Sequence, residues 1–251
     1  NSANLVQNGN FSELGSELIV NGDFSDSSWW GLDSSWSISG GSANSNGTGT
    51  IYKGGVVTIG KTYKVVVSVS SYTSGTLTYP NASNYNIPSA VGVYTFYYVA
   101  NSQTISFTGN SFIGSIDNVS VKQVDPNDNW TVTNSDANNF VEITQGQARL
   151  KFLNTSPVTQ LATSFVMTAG KKYKLTVDVL TVTSGSIKID GNGISEVFSV
   201  AGITTRIINP TGNTQIKFYR NTSNVDVTLN SVSLIEIQEN GVPRLDYTNG
   251  T

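Results

Sequence analysis

The chain contains two copies of one stretch of about twenty residues, and this duplication limits the fold more than any other feature of the sequence. The first copy occupies residues 60–79, GKTYKVVVSVSSYTSGTLTY, and the second occupies residues 170–189, GKKYKLTVDVLTVTSGSIKI. They align without a gap. Each reads as a Gly-Lys turn, a strand, a Thr-Ser-Gly turn and a second strand that returns. The sequence therefore predicts one β-module that occurs twice.

Within each copy, apolar side chains alternate with polar ones. Successive side chains of a β-strand point to opposite faces of the sheet, so every second residue shares a face. The residues on the apolar face are Tyr63, Val65, Val67 and Val69 in the first copy, and Tyr173, Leu175, Val177 and Val179 in the second. One apolar and one polar face are typical of an antiparallel sheet, so each copy needs a second sheet to cover its apolar face.

Turn signals and further matches divide the chain into four parts. We expect a leading strand or linker over residues 1–16, module one over 17–124, module two over 125–237, and a tail over 238–251 that leads into a further region. The opening segment NLVQNGNFS is echoed at once by ELIVNGDFS, and no module body directly follows the first copy. In module two, Trp130 is taken to correspond to Trp36. The many short strands and polar turns predict an all-β protein of two β-sandwiches.

The composition excludes several classes of function. Charged residues make up 12% of the 251 residues and the net charge is -3, so we expect no surface for nucleic acid. No apolar run approaches the ~20 residues that span a bilayer, so we expect no membrane insertion. The only methionine is Met167, so we expect the chain to be processed or to be a piece of a longer one.

The chain also has neither histidine nor cysteine. Their absence removes serine and cysteine triads, most zinc sites and all disulfides. A glycosidase would need two carboxyl groups held about 5–10 Å apart, and no such pair can be identified among Asp23, Asp26, Asp33 and Asp117. We therefore predict that the protein is not an enzyme.

Several motifs resemble one family of known proteins. They are NGDFS near the start of module one, a Trp strand followed by Ser-Gly-Gly, GKTYKV, Gly-Val-Tyr-Thr, and a closing Ile-Asp-Asn-Val-Ser-Val. Together they resemble the carbohydrate-binding modules of families 4 and 9, over nearly all of module one and more weakly over module two. This resemblance implies two tandem jelly-roll β-sandwich domains of the galactose-binding-like fold, with a ligand surface on one sheet or in the end loops.

The flanks resemble a narrower group. NLVQNGNFSELGSELIVNGDFS and ENGVPRLDYTNGT look like segments of large bacteriophage structural proteins. That resemblance implies a non-catalytic segment of a virion fibre or appendage, outside the cell, which acts as a spacer beside other virion proteins and binds a host surface glycan. The alternative is a pair of glycan-binding modules from a secreted or cell-surface bacterial protein.

Aromatic side chains outside the core alternation are the candidates for glycan binding. An aromatic ring offers an apolar face to the C–H face of a sugar, while polar neighbours bind the hydroxyls. Module one has spare aromatics at several positions, including Tyr52 and Tyr85; the predicted binding residues are Trp29, Trp30, Tyr72 and Tyr97. The alternative is that these rings cover the ends of the sandwich or pack against a neighbour. In module two Tyr219 is the clearest spare aromatic, and this module is expected to be a spacer.

The family resemblance also implies a structural calcium ion. Its matching positions are Asp23 in NGDFS and Asp117 in SIDNVS, and backbone carbonyls would complete the coordination. The matching closing position in module two is the neutral Asn230. The alternative is that Asp117 accepts hydrogen bonds from turn amides.

Unpaired strands and apolar flanks predict self-association. The leading strand, residues 4–11, and the tail carry apolar residues that need cover, which in the tail are Val242, Pro243, Leu245 and Tyr247. Exposed strands and apolar residues usually find a partner, and homo-oligomers usually have closed symmetry. We therefore expect a homo-oligomer, a trimer in the case of an appendage, in which both flanks pair with neighbouring segments or subunits.

Overall fold

The protein is built almost entirely of antiparallel β-strands. The computed structural model describes residues 3–82, 84–156 and 158–238, and in these ranges the only helical element is the 3-10 turn Pro80–Ala82. None of the described elements is a helix long and apolar enough to span a membrane. The predicted tail over 238–251 lies outside the described residues except for Gln238. The all-β prediction is confirmed.

Module one contains eight strands. They are β1 (Leu14–Glu17), β2 (Gly31–Leu32), β3 (Trp36–Ser39), β4 (Ser42–Lys53), β5 (Thr62–Tyr79), β6 (Tyr85–Ile87), β7 (Gly92–Val99) and β8 (Ile105–Val124). The long strands β4, β5 and β8 run through both layers of the sandwich. Their first and second parts have different neighbours: β4 pairs with β3 and then β2, and β5 pairs with β7 and then β6.

Module two contains ten shorter strands in the same arrangement. They are β9 (Trp130–Thr133), β10 (Asn139–Thr144), β11 (Gln147–Phe152), β12 (Gln160–Met167), β13 (Lys172–Ser184), β14 (Ile187–Gly191), β15 (Ile194–Phe198), β16 (Gly202–Ile208), β17 (Thr214–Arg220) and β18 (Val225–Ile237). One sheet has the order β10-β11-β18-β13-β16 and the other has the order β15-β14-β17-β12-β9. Both modules are thus jelly-roll β-sandwiches, as predicted.

The Thr-Ser-Gly segment is a bend and not the predicted hairpin turn. In module one, β5 continues through it and stays antiparallel to β8 on both sides, from Tyr63 opposite Gln123 to Thr78 opposite Thr108. Gly75 has a φ of 81°, and a Cβ there would lie 2.0 Å from the carbonyl oxygen of Ser111. Only glycine fits this close approach, so the strand crosses from one sheet to the other at a bulge.

The repeated apolar positions form the core of each module, as the alternation predicts. Tyr63, Val65, Val67 and Val69 are buried, and so are their counterparts Tyr173, Leu175, Val177 and Val179. In module one, an aromatic cluster adds to this layer, in which the hydroxyl of Tyr79 donates to that of Tyr98 at 2.9 Å. Burial raises the pKa of Tyr98 to about 12, so this polar pair stays neutral inside the core.

The leading segment is not a separate linker strand, because it belongs to module two. The described residues divide into two compact units: residues 12–127 with 143–145, and residues 3–11 with 128–142 and 146–238. Residues 4–11, which we call the first strap, lie along β18. The backbone N–H of Leu5 donates to Leu234 O at 2.8 Å, and that of Val232 donates to Gly9 O at 2.7 Å. Hence the apolar leading residues find cover within their own chain.

Module one is closed in the same way by its own copy of this segment. Residues 17–24, the second strap, lie along β8, where the N–H of Leu18 donates to Val121 O at 3.0 Å and that of Val119 donates to Gly22 O at 2.8 Å. Phe11 and Phe24 are each 1% exposed, and both have a positive φ. The two NG-x-F motifs are therefore equivalent parts of two different domains.

The straps also correct one predicted correspondence. Trp30 donates its indole N–H to Asn21 O at 2.9 Å, and Trp130 donates to Asn8 O at the same distance. Each indole packs on the strap phenylalanine, at ring distances of 5.4 and 4.9 Å. Trp130 thus corresponds to Trp30, and the matching of Trp130 with Trp36 is wrong.

Module one is inserted into module two in the chain order. The first strap precedes module one, and the rest of module two follows it. This connection is feasible because the ends of module one are adjacent: β1 pairs with the end of β8, with Leu14 opposite Val124, and the N–H of Asp125 donates to Glu13 O at 3.0 Å. Adjacent termini are the usual condition for inserting one domain into another.

Candidate functional site

The four predicted glycan-binding aromatics do not form one surface. Trp30 is 4% exposed and is part of the core, so neither face of its ring is available to a ligand. The sequence predicts a spare ring because Trp30 follows Trp29 in a loop, whereas in the structure the indole N–H holds the second strap. Trp30 is therefore a core residue of module one and not the exposed ring that the sequence predicts.

Trp29 and Tyr72 are half-buried against the core. Trp29 meets Trp30 edge to face at 4.8 Å, and the ammonium group of Lys53 lies 5.0 Å from the centre of its ring. Tyr72 packs 6.3 Å from Phe112 and donates its hydroxyl to Gly75 O at 3.1 Å, beside the bend of β5. Both rings thus have structural contacts that a sugar would have to share or replace.

Tyr97 lies on the outer face of β7, directly opposite Lys64. The same face of this strand exposes Val93 and Val99, which are 68% and 60% exposed. The neighbouring side chain on β5 is cationic, Thr95 lies between Val93 and Tyr97, and Ser68 of β5 lies opposite Val93. Tyr97 therefore lies on a sheet edge of mixed apolar and polar character.

The outer face of the other sheet of module one has a different character. It is formed by β2, the second half of β4, the first half of β8, the second half of β5, and β6. Thr50 and Thr78 both lie opposite Thr108 in the ladders. The hydroxyls of Thr50 and Thr108 are 3.1 Å apart, and that of Thr78 donates to Thr108 O at 3.3 Å. We call this surface the threonine face; its central row is hydroxylated, and at its β2 edge the Asp33 carboxylate accepts from the Thr50 N–H at 2.9 Å.

Tyr52 lies on the threonine face at its β4 edge. It is 44% exposed and pairs with Gly31 of the short edge strand β2. A Cβ on Gly31 would lie 2.6–3.0 Å from three atoms of the Tyr52 ring, so the ring covers the bare backbone of this glycine. An aromatic side chain that rests on a glycine backbone holds its position while the rest of the ring faces solvent.

In the sequence Tyr52 is a spare aromatic, with nothing that favours it over the four predicted rings. The signal was present in the alternation of polar Thr50 and Tyr52 with buried Ile51. What the sequence did not show is that Tyr52 stands opposite Gly31, because a two-residue strand has no periodicity that would reveal it.

The corresponding face of module two is charged, and its aromatic ring is covered. Register places Ala162 where module one has Tyr52, and Tyr219 where it has Thr108. The ammonium group of Lys188 lies 5.4 Å from the centre of the Tyr219 ring and 2.8 Å from Asp190 Oδ2. Through this hydrogen bond the ammonium group lowers the pKa of Asp190. Tyr219 is thus enclosed by an ion pair and has no hydroxylated row beside it.

A second concave surface lies in module two, between the first strap and β18. This open depression has a volume of about 490 Å³ and is lined by amides and hydroxyls that include Asn4, Gln7, Ser231 and Ser233. None of its lining residues is aromatic, so it lacks the ring that a sugar would stack on. As a glycan site it is weaker than the threonine face.

Asp23 and Asp117 are each bonded to a local turn. Asp23 Oδ1 accepts from the backbone N–H and the hydroxyl of Ser25, and these bonds lower the pKa of its carboxyl group. Asp117 Oδ1 accepts from the N–H of Asn118 at 2.6 Å. In the described part of the chain no three acidic, histidine or cysteine side chains come together. Calcium binding by Asp23, Asp117 and backbone carbonyls stays a prediction.

The comparisons with known proteins concern the architecture. No family model and no curated protein matches the chain. Among solved structures it is similar to the N-terminal tandem of two family 22 carbohydrate-binding modules of Paenibacillus barcinonensis Xyn10C, with 9% identity, coverage of 90% of this chain and 99% of that one, and a TM-score of 0.33.

A second similar structure contains the M60 catalytic domain of Clostridium perfringens ZmpB with its two CBM51 domains. The identity is 10%, the TM-score is 0.25, and the match covers 84% of this chain but 37% of that one. The chain thus spans little more than a third of that protein's structure. At these identities and scores, the likeness says nothing about what this chain binds.

Proposed function

We propose that the chain is a non-catalytic binding and spacer protein whose module one binds a neutral glycan on the threonine face. The observation that carries this proposal is the Tyr52 ring, which rests on Gly31 and stands exposed beside a row of threonine hydroxyls. The ring would cover the C–H face of a sugar, while the hydroxyls of Thr50 and Thr78 would bind sugar hydroxyls.

The polar groups of this surface support a ligand that offers hydroxyls and carries no negative charge. The central row contains three threonines, and at its β2 edge the Asp33 carboxylate accepts from the Thr50 N–H at 2.9 Å, so an anionic sugar would be repelled. A single stacking ring on an open face gives weak binding, so we expect a dissociation constant in the micromolar to millimolar range, about -4 to -8 kcal/mol. Tight overall attachment would then need several copies bound at once.

Replacement of Tyr52 tests this assignment. We expect Tyr52→Ala to weaken glycan binding at least about tenfold, because it removes the stacking ring, and Tyr52→Phe to keep most of it. The measurement is a glycan array probed with a multivalent form of the protein, followed by titration of the best ligand. Circular dichroism establishes that each variant is folded.

Module two supplies the matched control. Tyr219→Ala removes an aromatic residue from the corresponding face, and binding should be unchanged because Lys188 already covers that ring. Equal losses for Tyr52→Ala and Tyr219→Ala would contradict the assignment to module one. Silence of the wild-type protein across host polysaccharides would leave only the spacer role.

The proposal extends to the setting in which the modules work. The flanking motifs that resemble bacteriophage structural proteins support a segment of a virion fibre or appendage, with other virion proteins as neighbours. The alternative setting is a secreted or cell-surface bacterial protein. The full-length reading frame discriminates between them: an appendage-like extension after Thr251 favours the first, and an attached hydrolase domain favours the second.

We include a homo-oligomer, a trimer in the case of an appendage, in this proposal. Its support is the pair of equivalent edge strands β7 and β16, whose outer faces expose Val93, Val99, Ile203 and Ile207, each at least 60% exposed. Apolar sheet edges of this kind usually find a partner. Light scattering should give three times the chain mass. A monomer at all accessible concentrations would show that this part of the proposal is wrong.

A further inference from the structure

The first strap lies in a groove of module two and covers apolar side chains there. Val6 and Phe11 are 4% and 1% exposed, so the strap supplies two apolar side chains to the module. Asn4 Oδ1 accepts from the N–H of Leu234 at 2.9 Å, which fixes the start of the strap. Without the strap, module two would have an open apolar groove beside Trp130.

The fit of the strap depends on one glycine. A Cβ on Gly9 would lie 2.2 Å from Val232 O, and the equivalent Cβ on Gly22 of the second strap would lie 2.0 Å from Val119 O. Real Cβ atoms do not approach a carbonyl oxygen so closely, so any other residue would push the strap out of the groove. The groove therefore distinguishes the NG-x-F sequence from other extended segments.

The strap is joined to the rest of the chain by a very short connection. Only Ser12 and Glu13 separate Phe11 from the start of β1. Module one then follows, so the strap and its groove are joined through an entire inserted domain. Exchange of an identical element between copies costs little, because the same contacts form within one chain or between two. A short connection favours such exchange.

We propose that the strap groove of module two accepts the first strap of a second copy of this chain, so that copies become linked by strand exchange. The occupant is defined by the structure: an Asn-Gly-x-Phe segment with an apolar residue two positions before the Asn. The glycine passes Val232, and the phenylalanine contacts Trp130 at 4.9 Å. The contacts in the exchanged form are those already described.

The first experiment asks whether the groove binds a strap that is not covalently attached. A protease site is inserted between Ser12 and Glu13 of the full chain, and the folded protein is cleaved. A fluorescent peptide of residues 3–12 should then replace the cleaved strap, with a rise in anisotropy. The same peptide with Gly9→Val should bind at least about tenfold more weakly. Because the substitution is in the peptide, the folding of the protein is unaffected.

The second experiment asks whether intact copies exchange straps. Copies with two different tags are unfolded and refolded together at high concentration, and one tag is captured. We expect the other tag to be captured with it. Protease cleavage at Ser12–Glu13 should lower the amount of the jointly captured tag at least about tenfold. Cleavage leaves all strap contacts in place and removes only the covalent link, so it is the matched control.

Three results would overturn the proposal. They are failure of the peptide to bind the cleaved protein, absence of joint capture after refolding, and joint capture that survives cleavage. The last result would show that copies associate through another surface, such as the edges of β7 and β16. None of these outcomes depends on glycan binding, so the strap proposal and the proposed function can fail independently.

Discussion

Tyr52 and Ala162 occupy the same position in the two modules, and the difference between them separates a candidate binding face from an inert one. Around Tyr52 the face is hydroxylated and has the Asp33 carboxylate at its β2 edge, whereas around Ala162 the ring of Tyr219 is covered by Lys188. The duplication keeps the buried positions nearly unchanged and lets the exposed ones diverge. Side chains on the outer face are free to change because they contribute little to the core.

The next prediction is that Asp23 and Asp117 bind a structural calcium ion. If the ion binds at these residues, isothermal titration into chelator-treated protein should show heat, and the melting temperature of module one should rise because the ion binds only the folded state. Asp117→Asn should reduce the rise, since Asn230 already stands at this position in module two. If titration shows no heat and the melting temperature does not rise, the calcium site is absent and the two carboxylates only cap their turns.

The two straps show that neighbouring segments of a chain can close different domains. They are separated by about 13 positions and have nearly the same contacts, yet one packs on β18 and the other on β8. In each case a backbone pair, a buried phenylalanine and a tryptophan N–H hold the strap. The domain to which a strap belongs is therefore set by its partner strand and not by its place in the sequence.

Substitution of the strap glycines tests this assignment. We expect Gly9→Ala to lower the stability of module two, and Gly22→Ala that of module one, by about 1–3 kcal/mol each, because the added methyl group meets a backbone carbonyl. The measurement is hydrogen exchange followed peptide by peptide, in which each variant should lose protection in one module only.

Gly54→Ala is the control for these variants. Its added Cβ would meet nothing closer than 3.8 Å, so protection should be unchanged in both modules. Loss of protection in module one on Gly9→Ala would contradict the placement of the first strap.

The strands of both modules could be predicted because each carries its own period-two pattern, as β5 and β13 show. The partner of the first strap could not be predicted, because its pairing with β18 depends on contacts more than 220 positions away. Local sequence predicted Trp30 as a binding residue, and this was wrong because a tryptophan in a loop is equally suited to contact a ligand or to hold a strap. The site prediction was weakest because exposure depends on which rings the fold covers.

Considered as a whole, the chain is one domain inserted into another, and its core residues fall into two separate sets. The family resemblance predicted two tandem modules, and the described residues contain two jelly rolls of the same strand order. What differs from a simple tandem is the order of parts, because module two begins before module one and ends after it.

This order decides how the protein would respond to tension. The first strap and the end of β18 run antiparallel, with Leu5 beside Leu234. A pull on the chain before Asn4 and after Ile237 therefore acts on the hydrogen bonds between the strap and β18 in module two. Module one lies outside that load path until the strap peels away. Under such a pull the hydrogen bonds between the first strap and β18 bear the load first. Module one bears load only after these bonds have broken.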